Sequence, residues 1–598
     1  LVIEINYQKM KTFLKMLLAV IAGMIITGIL FFVIMLSVLS GMAAAGKKAI
    51  DIPEKSILVI KTGAMIPDRT SSNPLAMLDP LTTSFTQTPG LNEILKNLRK
   101  AAEDDNVRGI LIDNGIMPSG WATADEIRTA LEEFKESGKF IYSYSDYIMM
   151  QESYFISTAA DAVWLSPASM FDFKGLASEV IFYREALEKL GVEVQVIRHG
   201  KFKGAVEPYM LDHLSDENRS QISEYVGSIW GHVVRTISEA RGLPVETVMQ
   251  LADSLAGYDL VRMTGAGMID GTLYRDQLED SIRVAAGIEE DGKINYVPMS
   301  KYSKVPVKHA AVAGRKKIAV LFAEGKIVMG DGDDTNIGGN RYVAELRKLR
   351  LDTTVKAVVF RVNSRGGNAI ASDMIWREVE LTAKAKPVVV SMGNYAASGG
   401  YYISAAANKI MASPVTITGS IGVFGLIPNA QVFLDKKLGI NSDVVRTNRH
   451  SDAPSFTRPL IAYEREALQA NVERTYDTFT GVVASGRSMR HTAVDSIGQG
   501  HVWSGTDARE IGLVDTFGGL NDAISEAASM AGLESYRIIE KPEATDFYTK
   551  LLKEMTGMAR ANAIRRELGE ASRYYYELKE IISSAGVQAV MPYYLDIH

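Results

Sequence analysis

A serine followed by two glycines, Ser398-Gly399-Gly400, closes the run Asn394-Tyr395-Ala396-Ala397 between a β-type apolar stretch and a run of small residues. At a strand–helix junction, backbone N–H groups point outward and favour developing negative charge, which suits a nucleophile. The same placement suits an ordinary N-cap, and on this feature alone the cap is the better reading. A second stretch, Arg361-Val362-Asn363-Ser364-Arg365-Gly366-Gly367-Asn368, sets a Gly-Gly turn directly after a buried-type strand. Free N–H groups there could hold an oxyanion, although a plain strand–helix turn has the same look. A third, Thr416–Gly425, adds Ser420 on a strand of small residues. A serine nucleophile needs a base. None of the eight histidines has a convincing triad context; His199 and His450 come nearest, and no Gly-x-Ser-x-Gly elbow is present. The remaining base is a lysine whose amine is kept neutral by desolvation. Lys203, among Phe202, Gly204, Ala205 and Val206, is the best candidate. A lone lysine is ordinarily a surface residue, and on the residues alone that is the better reading.

The elements that must position these groups occur twice. Val107–Asp113 matches Val355–Arg361, Ser153–Ala160 matches Gly400–Ala407, Val196–Ala205 matches Val444–Ala453, and Gly267–Asp270 matches Gly512–Asp515. The offset stays at about 245–248 residues, which reads as tandem duplication of one domain. Each copy alternates short β-branched runs (Ile57–Gly63, Ile318–Gly325, Phe140–Asp146, Pro387–Gly393) with amphipathic helical patterns such as Leu91–Asp104. That order predicts an α/β fold, a mostly parallel sheet with helices packed against it. The first copy has Gln151 where the second has Ser398, and the second has Ser451 where the first has Lys203. Each copy has kept half of the candidate machinery, so the site must form where a first-type domain meets a second-type one, within a chain or between neighbours.

Composition sets the outer limits. With 47% hydrophobic and 23% charged residues the 598-residue chain is ordinary globular material, too long for one core. A net charge of −6 argues against a nucleic-acid binder. The absence of cysteine excludes disulfides, thiolate metal sites and a cysteine nucleophile. From Met16 to Ala45 there is no charged residue, and roughly 20 apolar residues suffice to cross a bilayer. The expected organisation is a cytoplasmic segment at 1–15, with Met10 the better initiator, and a single transmembrane helix at 16–45. A first repeat domain follows at 46–305, a second at 306–545, and a helical tail at 546–598. A cleaved signal peptide ending near Ala43–Ala45 is the rival for the apolar run. Asp331-Gly332-Asp333-Asp334 has the look of a calcium loop but meets Tyr342 where the ligating Glu belongs, so no metal site is expected.

With Lys203–Pro208 (KGAVEP), Arg361–Gly367, Ala397–Tyr402 (ASGGYY) and Thr418–Val423 (TGSIGV), the chain resembles the long, tandem-repeat form of bacterial signal peptide peptidase A. That family belongs to the serine proteases with a Clp protease/crotonase-like fold. The resemblance runs from the apolar segment to near residue 540. It implies Ser398 as nucleophile, Lys203 as general base and Ser420 as the residue positioning the lysine. It implies Gly367 (or Gly366) and Gly399 as oxyanion donors. One departure is Arg365, where the family usually has proline. The resemblance further implies an inner-membrane enzyme with its catalytic domains outside the cytoplasm and a ring-like homotetramer. The implied substrates are remnant signal peptides and other short apolar segments; no cofactor or nucleic acid is implied. The rival classes are a crotonase-like acyl-CoA enzyme, which would need neither Ser398 nor Lys203, and a non-catalytic membrane scaffold.

Overall fold

The computed structural model describes residues 15–30, 33, 50–63, 65–70, 89–116, 119–306, 315–543 and 586–591. Residues 15–30 are helical, with Met16, Ile25, Ile26 and Ile29 among the exposed side chains. Most of the remainder of the expected 16–45 helix, and the 307–314 stretch between the repeats, lie outside the described residues. Among the described residues no helix is long and apolar enough to cross a membrane.

Each repeat builds a sheet. The first has six strands in the order Gly271–Thr272, Ala162–Leu165, Phe140–Ser145, Val107–Asp113, Ser56–Lys61, Asn295–Pro298, every pair parallel. The second runs Val502–Ser504, Ile417–Gly419, Val388–Ala397, Val355–Ser364, Lys317–Glu324, Arg537–Lys541, with Lys409–Ala412 and Thr516–Phe517 attached at its side. Only the Val502–Ser504 pairing is antiparallel. Strands such as Val355–Ser364 and Val388–Ala397 are buried almost throughout, as parallel strands with both faces covered must be. Their β-branched composition suits that environment.

The two sheets share a core. One buried apolar cluster joins Leu58, Ile110 and Ile141 of the first repeat to Ile318, Val320, Val359 and Val389 of the second. A buried ion cluster crosses the same boundary. The Arg361 guanidinium, from the second repeat, donates to Asp68 Oδ1 at 2.8 Å and sits 2.7 Å from Glu126 Oε1, both acids belonging to the first. Burial raises the Glu126 carboxyl above its usual range, a shift opposed by the arginine.

A third, seven-stranded sheet is assembled from both repeats and the tail. Its order is Gly332–Asp333, Asn336–Gly338, Lys326–Val328, Gly366–Asn368, Gly586–Val590, Phe424–Asn429, Glu193–Arg198. The first-repeat strand Glu193–Arg198 lies antiparallel on the second-repeat strand Phe424–Asn429 over six residue pairs. The tail was expected to be helical; its described part, Gly586–Val590, is a strand, held by ladder bonds on both sides.

Candidate active site

Ser398 stands where strand Val388–Ala397 ends and helix Gly399–Ser404 begins. Its backbone takes φ 55° and ψ −115°, a conformation that disfavours a residue with a Cβ. The fold imposes it from both sides: Ser398 N–H donates to Gly419 O, and Ser398 O accepts from Tyr402 N–H, each at 2.8 Å. The side chain makes no cap bond, so the N-cap reading does not describe it. Strain of this kind, of order 1–3 kcal/mol, is a feature of sites that hold a reacting atom in place.

Lys203 arrives from the other repeat. Strand Glu193–Arg198 carries the chain across the second repeat, and a loop then turns into the 3₁₀ helix Gly204–Tyr209. That loop is pinned by second-repeat backbone: Phe202 N–H donates to Gln499 O at 3.1 Å. Glu207, fully buried, accepts from Ser215 N–H and Oγ, while Ser215 caps helix Asp216–Arg241. From the same helix Gln221 donates to Phe202 O at 2.9 Å and accepts from Val502 N–H at 3.0 Å, joining the lysine loop to the second sheet.

These supports bring together three groups that are far apart in sequence. Lys203 Nζ is 2.8 Å from Ser398 Oγ, 2.9 Å from Ser420 Oγ and 3.0 Å from Ser420 O. Lys203, Ser398 and Ser420 are all fully buried. Burial drives the Lys203 amine well below its ordinary pKa, since a charged ammonium loses hydration there. Ser420 also has positive φ, 49°, with its N–H on His501 O.

Of the glycines, Gly366 needs its freedom most: φ is +100°, and a Cβ there would lie 2.6 Å from Gly399 N. Gly366 N–H donates to Ser364 Oγ at 3.1 Å, while the neighbouring Gly367 pairs with Ala589 of strand Gly586–Val590. Arg365 places its guanidinium 4.2 Å from the Tyr395 ring centroid, and its carbonyl accepts from Met591 N–H at 2.7 Å. His199 pairs with Glu473 and His450 with Glu464. Gln151, the first-repeat counterpart of Ser398, donates to Gly175 O, and Ser451, the counterpart of Lys203, to Asn448 O.

Sequence reasoning missed Gln221, Gly422 and Gly500. A Cβ on Gly500 would meet Lys203 N at 2.6 Å, and one on Gly422 would meet Lys203 Cδ at 3.2 Å. These two glycines let second-repeat backbone close over the lysine stem. The only signal for them was small-residue composition around Thr418–Val423 and Gly498–Gly500.

Two α/β repeats thus bring a strained serine, a buried lysine and a glycine-lined strand edge to one place, an arrangement suited to acyl transfer. Residues 133–289 and 380–534 match peptidase family S49, and residues 311–421 match the Clp protease family. Protease 4 of Haemophilus influenzae is 32% identical over 513 residues, 83% of each chain. Protease 4 of Salmonella typhi is 34% identical over 487 residues, 79% of this chain and 77% of the relative. The chloroplastic serine protease SPPA of Arabidopsis thaliana is 31% identical over 522 residues, 86% and 76% of the two chains. The chain belongs to peptidase family S49, as a tandem-repeat member, and it is a serine protease. The acyl-CoA and scaffold readings give way to that assignment.

Proposed function

We propose that the chain is a membrane-anchored endopeptidase working through a Ser398/Lys203 dyad on remnant signal peptides and other short apolar segments. The observation that carries the dyad is the 2.8 Å approach of Lys203 Nζ to Ser398 Oγ in a fully buried setting. A neutral amine has two N–H groups and one lone pair. With its N–H groups given to the Ser420 carbonyl and hydroxyl, its lone pair is left for the Ser398 hydroxyl, which is the arrangement this reading uses. Lys203 then removes the Ser398 proton as Oγ attacks a peptide carbonyl. Gly367 and Gly399 N–H groups hold the oxyanion, and Lys203 returns the proton to the leaving amine. Water releases the acyl-enzyme by the same route. No metal or cofactor enters this scheme.

The anchor is the uncharged run Met16–Ala45, whose described part is helical with its apolar side chains exposed. The catalytic repeats then lie outside the cytoplasm at the bilayer surface, close to apolar peptides leaving it. A ring-like homotetramer belongs to this reading on the strength of the resemblance. The test is direct. A fluorophosphonate probe should label Ser398, and Ser398→Ala and Lys203→Ala should each abolish both labelling and cleavage of an apolar peptide. Activity retained in either variant would sink the dyad.

A further inference from the structure

Burial alone depresses the Lys203 amine; no neighbouring charge shares in the shift. What keeps water from that amine therefore decides whether it can act as a base. Gly422 and Gly500 let backbone close over the lysine stem. The residue after Gly500 is His501, a buried imidazole, 8% exposed, that the scheme above does not use.

His501 bears on both sides of the site. Its carbonyl accepts from Ser420 N–H at 2.6 Å, and Ser420 is the residue on which the lysine amine rests. Its ring meets that of Phe202, the neighbour of Lys203, edge to face with centroids 4.6 Å apart. On the other side it stacks on Trp503, 3.9 Å away and 23° from parallel. The row is anchored at each end. Phe202 N–H donates to Gln499 O, and Trp503 Nε1–H donates to Ile497 O at 3.0 Å. The imidazole is held by Nδ1–H, which donates to the Val502 carbonyl at 2.9 Å, since a carbonyl only accepts. Its Nε2 then lies 3.6 Å from Glu224 Oε2, and Lys201 Nζ lies 5.1 Å from the Phe202 centroid. Burial lowers the His501 pKa below its ordinary value, against the opposing pull of Glu224 and Asp507, so the ring is neutral throughout the alkaline range.

The duplication supplies a comparison within the chain. Ser504 caps helix Gly505–Glu510, as Asp259 caps helix Leu260–Gly265 at an offset of 245 residues. That offset sets Ala256 against His501, so the copy of this segment that does not close over Lys203 has no ring there.

We propose that Phe202, His501 and Trp503 form a water seal over the catalytic lysine, with His501 the positioning residue at its centre; this rests on the dyad reading above. Deleting the imidazole leaves room beside the lysine loop and frees the Val502 carbonyl next to Glu224, polar partners that let a water stay. An amine reached by water is easier to charge, so less of it is neutral at a given pH. The defect is then one of protonation, and alkali repairs it. A misplaced reacting group would instead cost the same factor at every pH.

The test is the pH profile of kcat for an apolar reporter peptide, measured on the full chain from about pH 6.5 to 10.5, below and up to the ordinary lysine pKa. His501→Ala should move the alkaline limb upward by about one unit, a loss of about tenfold in kcat on the rising part, and should meet wild type on the plateau. His501→Phe, which keeps a ring between Phe202 and Trp503, should keep the wild-type limb. Phe202→Leu opens the outer end of the row and reads the same limb should His501→Ala fail to fold. A uniform loss at every pH, or a limb that stays in place in both His501→Ala and Phe202→Leu, overturns the seal and leaves the dyad standing. So does a His501→Phe limb displaced as far as that of His501→Ala. A wild type without an alkaline limb, or a Lys203→Ala variant that still cleaves, sinks the dyad reading and the seal with it.

Discussion

At the scale of single residues, the chemistry turns on one amine that the fold keeps out of water. The Lys203 pKa is lowered by burial, so its neutral fraction rises with pH through a value below the ordinary lysine pKa of ~10.4. Peptidase activity should climb along an alkaline limb with an apparent pKa below that value. Lys203→Arg should be as inactive as Lys203→Ala, because a guanidinium does not give up its proton. The same burial leaves a mark on stability. Between the depressed folded value and ~10.4 the unfolded chain binds more protons, so folding stability rises with pH, at most by about 1.4 kcal/mol per unit. Lys203→Met lacks this dependence. Urea midpoints measured from pH 7 to 9 should therefore show wild type gaining on Lys203→Met as pH rises, and a constant gap would contradict a buried titrating amine. Ser398 and the paired glycines were legible as candidates because their chemistry is local: a serine and free N–H groups at strand ends. The burial of Lys203 was not legible, since Gly422 and Gly500, which close over it, belong to the other repeat.

At the scale of elements, the site depends on how one loop is fastened. Helix Asp216–Arg241 does this through Gln221, which is 1% exposed and bonds both the Phe202 carbonyl and the Val502 amide. The hydrogen bonds of Gln221 go to Phe202, Asn218 and Val502 and not to the Ser398 or Lys203 side chains, so its part is positioning. Gln221→Glu keeps an acceptor for Val502 N–H but loses the donor to Phe202 O. We expect kcat to fall by about tenfold to a hundredfold with KM nearly unchanged, as for small misplacements of a reacting group. A fall confined to KM, or to thermal stability alone, would remove Gln221 from this role. The parallel strands and their helices were readable from β-branched runs alternating with amphipathic patterns, twice over. The seven-stranded sheet was not. Its members are short, several carry glycine, and the pairings that complete it reach to the tail and to the other repeat, so no local periodicity announces them. The tail strand Gly586–Val590 was masked in the same way by the charged, helix-like sequence before it.

At the scale of the whole molecule, the duplication has made two halves that are no longer independent. Comparison of the two copies located the division of labour, Lys203 in one and Ser398 in the other, so that each depends on the other for catalysis. The shared core argues for a stronger dependence. Removing the first repeat would strip the cover from Ile318, Val320, Val359 and Val389, take Asp68 and Glu126 away from Arg361, and bare the Phe424–Asn429 edge that Glu193–Arg198 now pairs. A bared apolar face beside an open strand edge favours association over a folded monomer. The second repeat from residue 306 onward, made alone, should therefore be aggregation-prone and give no cooperative melting transition. Co-expressed as a separate chain with residues 46–305, it should form a soluble one-to-one complex that cleaves the reporter peptide. The same complex built with Lys203→Ala should assemble equally well and be inactive, which separates the structural debt of one half to the other from the catalytic one. A second repeat that folds and cleaves on its own would mean that its base lies elsewhere, and His450 would be the first group to substitute.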